Sequence, residues 1–204
     1  LVLGAPQTFV IGDMPFGSYN VSVAQAIESA NRILMETNCD AVKLEGGKDM
    51  APAVESMVKA GISVVGHIGL TPQTSVSFGG FKVQGGTPES AVALIEDAKA
   101  LEAAGAIGIV VECVPSVVAK AMTEAVSIPI MGIGAGPDVD AQVMVTQDLL
   151  GMYGDFKPKF VKHFANIREE MIKGLNEFHT ESLSGAFPTP EFSFNKAIEL
   201  PRVY

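Results

Sequence analysis

Short apolar runs alternate with longer amphipathic segments along this chain, and the two patterns together predict a regular succession of strands and helices. Runs of strand length cover Thr8–Ile11, Asp40–Gly47, Ile62–Gly66, Ile107–Val111 and Ile128–Met131, with Val143–Thr146 as a weaker candidate for a sixth strand. Helical spacing covers Ser22–Thr37, Met50–Ala60, Thr87–Ala104, a short segment ending near Ala125, and Val161–Glu181. Strands that alternate with helices indicate βαβ units and a parallel sheet.

The run Asp40–Gly47 carries two charges inside an otherwise apolar strand. Side chains alternate along a strand, so Lys43 and Glu45 share one face while Val42 and Leu44 share the other. Burying two charges costs several kcal/mol unless they are paired or bind a ligand. The run therefore predicts either a ligand site, a structural Lys–Glu pair or a solvated strand end.

Polar side chains follow four of the predicted strands: Asp13, Glu45, His67 and Glu112. Barrel enzymes collect their catalytic groups at the carboxyl ends of several strands, so this placement favours a (β/α)8 TIM barrel over an open doubly wound sheet. A complete barrel takes about 250 residues. Because six units are present, we expect the first two strand–helix units to lie ahead of Leu1, and we expect one partial barrel domain over residues 1–204.

Composition narrows the range of partners and locations. The net charge is −9 and no basic face stands out, which argues against a nucleic-acid partner. The two cysteines, Cys39 and Cys113, are too few for a disulfide framework and favour reduced thiols in a cytoplasm. No uninterrupted apolar run approaches membrane-spanning length, so we expect no membrane association.

The four strand-end residues and Lys43 support metal-assisted chemistry on a 2-oxo acid. Asp13 is a hard oxygen ligand suited to Mg²⁺, and Glu45 would either bind the ion directly or hold its water. Lys43 would offset substrate charge, and Glu112 is a candidate general base. Singly, each has a plainer interpretation: Asp13 as a turn residue, His67 as a core histidine, Glu112 as a helix cap. Their joint placement favours function.

Two glycine-rich loops have less specific patterns. The segment Gly79–Gly86 lies in a long loop, which is usually functional or disordered. Gly132–Gly136 follows a strand and would either cradle a phosphate or form a tight turn, and both interpretations stay open.

Seven motifs in order resemble those of the ketopantoate hydroxymethyltransferase family, also called 3-methyl-2-oxobutanoate hydroxymethyltransferases, of pantothenate biosynthesis. The resemblance covers nearly the whole chain. The motifs lie at residues 12–19 (GDMPFGSY), 43–47 (KLEGG), 66–73 (GHIGLTPQ), 78–85 (FGGFKVQG), 112–115 (ECVP), 132–136 (GIGAG) and 158–162 (PKFVK).

This resemblance implies a TIM barrel that binds Mg²⁺ and transfers a hydroxymethyl group from 5,10-methylenetetrahydrofolate to 3-methyl-2-oxobutanoate, giving 2-dehydropantoate. It implies that Asp13 is a metal ligand, that Glu45 lies by the metal through water, and that Lys43 and His67 lie at the substrate. Glu112 would remove the C3 proton. It also implies a homo-oligomer, commonly a decamer, with contacts from a C-terminal helix and tail at about 160–204.

The chain departs from the family pattern at its beginning. The family's first two strands carry a Gly-Asp-Ser motif with a second metal ligand, and we expect them ahead of Leu1. Two alternatives remain at this point: a Mg²⁺-dependent lyase or mutase of the phosphoenolpyruvate-mutase and isocitrate-lyase type, and a non-catalytic oligomeric remnant. Neither Cys39 nor Cys113 lies in the Lys-Lys-Cys-Gly motif usual in such lyases.

Overall fold

The structure, a computed structural model, describes Gly4 and residues 7–154 and 157–199. It divides into two compact units, Leu1–Val143 and Met144–Tyr204. The first unit contains a six-stranded sheet in which each strand pairs, in parallel, with the next along the chain. This confirms the α/β class and the parallel sheet, whereas the complete barrel stays a prediction.

The elements of the first unit follow the predicted alternation. The strands are β1 (Ile11–Asp13), β2 (Ala41–Lys43), β3 (Val64–Gly69), β4 (Gly108–Glu112), β5 (Ile130–Ile133) and β6 (Ala141–Gln142). The helices are α1 (Val23–Thr37), α2 (Ala51–Lys59), α3 (Pro88–Ala103) and α4 (Ser116–Ala125), with 3₁₀ helices at Lys48–Met50 and Pro72–Phe78.

Local sequence explains where the longer helices begin and end. The Ser22 hydroxyl accepts a hydrogen bond from the Gln25 N–H, so Ser22 caps α1. Asn38 ends that helix in the left-handed conformation, which asparagine tolerates better than most residues. Thr87 caps α3 in a reciprocal arrangement with Ser90, and proline occupies the first helical position.

One face of the sheet packs against the helices to form the core. Its residues alternate with those of the opposite face, as the pleat requires. Fully buried strand residues meet fully buried helix residues there: Val42, Val64, Ile109, Val111 and Ile130 with Ala26, Ala30, Val54, Met57, Leu101 and Met122. Each large aliphatic side chain contributes about 1.5–3 kcal/mol by burial, so this face of the sheet supplies most of the stability of the first unit.

Three predicted strands require correction. The first was predicted at Thr8–Ile11, whereas β1 is Ile11–Asp13. The third strand was predicted to end before His67, but β3 continues to Gly69 and His67 lies inside it. The sixth was predicted at Val143–Thr146, whereas β6 is Ala141–Gln142. Both residues of β6 are exposed at the sheet edge, so no apolar run marks them.

The described residues of the second unit form the α-helices α5 (Thr146–Leu149) and α6 (Ile167–Ser184) and a 3₁₀ helix at Pro190–Phe192. Helix α6 was predicted to begin at Val161, but the Val161 N–H donates to the Pro158 carbonyl in a turn and α6 begins at Ile167. No residue of α6 is buried. Within the described residues, no helix is both long enough and apolar enough to span a membrane.

Candidate active site

The five predicted site residues lie on the same face of the sheet, opposite the core face. Asp13 pairs in register with Lys43, and His67 pairs with Val110, which precedes Glu112 by two positions. Because side chains alternate along each strand, these residues point to the same side. Glu45 follows β2 with the same parity as Lys43. The structure therefore brings the predicted groups to one surface at the carboxyl ends of β1–β4.

Asp13 and Lys43 form an ion pair. The Lys43 Nζ lies 2.7 Å from the Asp13 Oδ1, with the lysine side chain 17% exposed and the aspartate side chain 59% exposed. Lys43 is thus balanced by Asp13, and no ion pair with Glu45 appears among the described residues. Because the Asp13 carboxylate is more than half exposed, solvent screens the pair, which contributes on the order of 1 kcal/mol to stability.

His67 lies between two carboxylates in the most buried part of the face. Its Nε2 is 3.2 Å from the Glu112 Oε2, and its Nδ1 is 3.6 Å from the Glu45 Oε1. The His67 side chain is 5% exposed, Glu45 4% and Glu112 15%. Both ring nitrogens are buried, and neither has a hydrogen bond of good geometry within the described parts of the chain, which is uncommon for buried polar atoms.

The surroundings of His67 act on its charge in opposite directions. Burial lowers the pKa of His67, but the neighbouring carboxylates of Glu112 and Glu45 outweigh it, so the net shift of this pKa is upward. The protonated ring would be stabilised by both carboxylates. The three side chains therefore form a compact acid–base cluster.

Glu45 is held by a hydrogen-bond network that the sequence analysis did not assign. Its Oε2 accepts from the Gln73 N–H at 3.0 Å, and its own N–H donates to the Tyr19 hydroxyl at 3.3 Å. Burial raises the pKa of Tyr19, so its hydroxyl stays protonated at neutral pH. Both residues lie inside the motifs that carry the family resemblance. Neither is charged at neutral pH, so the search for charged groups at strand ends assigned them no role.

Glu112 is positioned through its backbone. Its carbonyl accepts from the Leu70 N–H at 2.8 Å, and Gly69, at φ +87°, leaves room for this close approach. Cys113 follows with φ 49°, an uncommon conformation for a residue with a side chain. Burial, with repulsion from the Glu112 carboxylate, raises the pKa of the Cys113 thiol to about 11. This thiol is therefore a poor nucleophile at neutral pH.

Local contacts explain one glycine in the loop Gly132–Gly136 and the position of the end of the loop Gly79–Gly86. A side chain at Gly136 would meet Ser116 at the start of α4, so a close approach of backbone explains the glycine there. In the other loop, the Gln84 N–H donates to the Cys113 carbonyl at 2.9 Å. That contact joins the end of the loop to the residue after Glu112.

The carboxylate oxygens on this face are the type of ligand that Mg²⁺ prefers. Asp13 offers a half-exposed carboxylate and Glu45 a buried one, and Mg²⁺ takes one or two carboxylates while keeping several waters. Across the described residues, no group of three or more His, Cys, Asp or Glu side chains could hold a metal ion. A metal would therefore need water or substrate oxygens to complete its coordination.

A parallel sheet with an acid–base cluster at its strand ends is typical of α/β enzymes that act on small molecules. Sequence comparison gives the particular family. The profile described as ketopantoate hydroxymethyltransferase matches residues 1–190. The chain belongs to that family of enzymes.

Individual relatives agree with the family match. The 3-methyl-2-oxobutanoate hydroxymethyltransferase of Heliobacterium modesticaldum is 54% identical over 204 residues, which are 100% of this chain and 74% of the relative. The enzyme of the same name from Clostridioides difficile is 50% identical over 202 residues, 98% of this chain and 74% of the relative. Among solved structures, a phosphonopyruvate hydrolase aligns with a TM-score of 0.47 at 11% identity, over 89% of this chain and 65% of that one.

Proposed function

We propose that this enzyme transfers a hydroxymethyl group from 5,10-methylenetetrahydrofolate to C3 of 3-methyl-2-oxobutanoate, giving 2-dehydropantoate for pantothenate biosynthesis. The observation that carries the proposal is the family match over residues 1–190. In the balanced reaction, C3 loses a proton and gains a bond to the one-carbon unit, one water is consumed, and tetrahydrofolate is released.

Glu112 is the proposed base for the C3 proton. Its side chain is 15% exposed, so it is accessible to a substrate while remaining next to the buried His67 ring. A base positioned in this way contributes about 10²–10⁴-fold to the rate of a proton transfer. The negative charge left by the proton delocalises into the 2-oxo group of the substrate.

Lys43 and His67 are proposed to orient the substrate. Lys43 presents an ammonium group at the strand end, and it would exchange its ion pair with Asp13 for the substrate carboxylate when Asp13 binds Mg²⁺. The buried His67 ring lies beside the proposed base Glu112, with its Nε2 3.2 Å from the Glu112 Oε2, so it would act at the inner wall of the substrate site. Both groups hold the oxo acid with C3 toward Glu112.

Asp13 and Glu45 are proposed to hold Mg²⁺, Asp13 as a ligand and Glu45 through water. When bound, Mg²⁺ would supply Lewis-acid polarisation of the 2-oxo group. The support is the pair of carboxylates on one face, one half-exposed and one buried.

The second unit is proposed to form contacts between subunits of a homo-oligomer, which we expect to be a decamer. Helix α6 exposes five large apolar side chains at Met171, Ile172, Leu175, Phe178 and Leu183. Exposed apolar patches of this kind mark association surfaces. Light scattering coupled to size exclusion would give the assembly mass, and a monomer would contradict this part of the proposal.

Product formation tests the proposed function. The purified protein is incubated with 3-methyl-2-oxobutanoate, 5,10-methylenetetrahydrofolate and Mg²⁺, and 2-dehydropantoate is measured by mass spectrometry. We expect product that depends on the folate and falls after chelation of the metal. No folate-dependent product in the presence of Mg²⁺ would refute the proposal.

A further inference from the structure

We propose that Gln73, together with Tyr19, is a positioning residue that holds the Glu45 carboxylate toward His67. The inference rests on the proposed function for its catalytic meaning, but its structural basis is independent. Gln73 uses its backbone N–H and both ends of its side-chain amide, and each of these three groups makes a hydrogen bond near the site.

The contacts of Gln73 join the loops that follow three adjacent strands. Its N–H donates to the Glu45 Oε2 at 3.0 Å, and its side-chain Nε2 donates to the Met14 carbonyl at 2.9 Å. Its Oε1 accepts from the Tyr19 hydroxyl at 2.7 Å. Met14 follows β1, Glu45 follows β2 and Gln73 follows β3, so one residue connects three strand ends through its backbone N–H and its side chain.

Tyr19 completes the network in a buried position. Tyr19 is 2% exposed, and its hydroxyl accepts from the Glu45 N–H at 3.3 Å while donating to Gln73. Glu45, taken as a whole residue, is 6% exposed. Rotating either side chain away would leave buried polar groups without partners, which strongly disfavours other arrangements.

The network determines which way the Glu45 carboxylate points. With Oε2 bound to Gln73, Oε1 is the oxygen that faces the His67 Nδ1 at 3.6 Å. The backbone N–H of Gln73 makes the direct contact, and its side chain secures that backbone against Met14 and Tyr19. Second-sphere partners of this kind typically change metal affinity or activity about 10–100-fold when they are removed.

Two substitutions remove the side-chain hydrogen bonds of the network without altering a charged group and leave the backbone contact of Gln73 with Glu45 unsupported. Gln73→Met keeps the length of the side chain and removes the amide, and Tyr19→Phe removes only the hydroxyl. Matched controls are Gln147→Met and Tyr153→Phe, because Gln147 and Tyr153 are exposed and their side chains make no hydrogen bonds within the described residues. Circular dichroism and size exclusion confirm that each variant is folded.

The measurements separate positioning from general stability. We expect kcat to fall about 10–100-fold in Gln73→Met and Tyr19→Phe, and Mg²⁺ affinity measured by calorimetry to weaken about tenfold. The controls should stay within about twofold of the wild type in both quantities. A purely structural role would lower the unfolding midpoint but leave kcat and Mg²⁺ affinity of the folded variants at control values, and that result would overturn the inference.

A further measurement does not depend on the proposed function. If the wild type forms no product, the proposed function fails, and the network is judged from unfolding of the metal-free protein. The single variants Gln73→Met and Glu45→Gln and their double variant are unfolded in urea. Non-additive changes in the free energy of unfolding support the network, whereas additive changes overturn it.

Discussion

Gly69→Ala should lower both the stability and the activity of the protein, because the added methyl group would displace the backbone of Glu112. A methyl group at this position would overlap the Glu112 carbonyl oxygen and come close to Val114. The overlapped oxygen belongs to the backbone and cannot rotate away. The ends of β3 and β4 must therefore separate, and the hydrogen bond from Leu70 to Glu112, now 2.8 Å, is lost or stretched.

Gly61→Ala provides the matched control for this substitution. Gly61 has φ +88° and Gly69 has φ +87°, but a methyl group at Gly61 would meet nothing within 4 Å. Both variants share the strain of the left-handed conformation, about 1–2 kcal/mol. Gly69→Ala adds overpacking of about 1–3 kcal/mol and a lost hydrogen bond of about 1 kcal/mol. It should therefore be less stable than Gly61→Ala by about 2–4 kcal/mol.

Urea unfolding followed by circular dichroism measures the difference in stability, and steady-state assays measure kcat. A displacement of Glu112 of about 1 Å should also reduce kcat about 100-fold in Gly69→Ala, with little change in Gly61→Ala. Equal loss of stability in the two variants, to within about 0.5 kcal/mol, would refute the argument that Gly69 positions Glu112.

Three further predictions concern the charged and thiol groups. In the metal-free protein, burial lowers the pKa of His67, but the Glu112 and Glu45 carboxylates raise this pKa more. The protonated His67 ring therefore stabilises the fold fully below its ordinary pKa of 6.5, and this stabilisation is lost as pH rises through the higher pKa of the folded state. The difference in unfolding free energy between wild type and His67→Gln should therefore shrink from about pH 6 to about pH 8, and a difference that widens would contradict this sign. The pKa of Cys113 is raised to about 11, so few of its thiols are ionised at pH 8. In the Cys39→Ala variant, iodoacetamide should therefore label Cys113 at pH 8 roughly 100-fold more slowly than it labels free N-acetylcysteine, and equal rates would exclude the raised pKa. Asp13→Asn should weaken Mg²⁺ binding measured by calorimetry while changing the free energy of unfolding by only about 1 kcal/mol, because the Asp13 carboxylate is more than half exposed and solvent screens its pair with Lys43; unaltered metal affinity would place the ligand elsewhere.

The strand–helix alternation and the shared face of the site were predictable because the buried strands have clear apolar patterns. Lys43 and Glu45 stand out as charges inside such a pattern, and the structure gives each a specific partner. Lys43 pairs with Asp13 rather than with Glu45, which excludes the structural Lys–Glu pair among the described residues.

Edges and turns were less predictable. The edge strand β6 has two exposed residues, and its position depends on backbone pairing with β5 rather than on apolar periodicity. The end of β3 was misplaced because His67 is polar, and a polar residue usually marks the end of an apolar run. Here the ring is buried between two carboxylates, so the strand continues through it.

The hydrogen-bond network around Glu45 could not be predicted from the sequence for a different reason. Tyr19 and Gln73 are far apart along the chain, and each is a common residue in a loop. Only the folding of the loops after β1 and β3 onto the end of β2 brings them together. Side-chain hydrogen bonds between loops leave no periodic signal.

The most direct test of the central claim is the loss of the C3 proton of 3-methyl-2-oxobutanoate, followed by NMR in deuterated buffer with Mg²⁺ and 5,10-methylenetetrahydrofolate. Wild type and a Glu124→Gln control, altered at an exposed residue of α4, should exchange and convert the substrate. Glu112→Gln should bind the substrate but lose exchange and transfer by about 10²–10⁴-fold. Unchanged exchange in Glu112→Gln would contradict the assignment of the base, and no exchange or transfer in the wild type would contradict the proposed reaction itself.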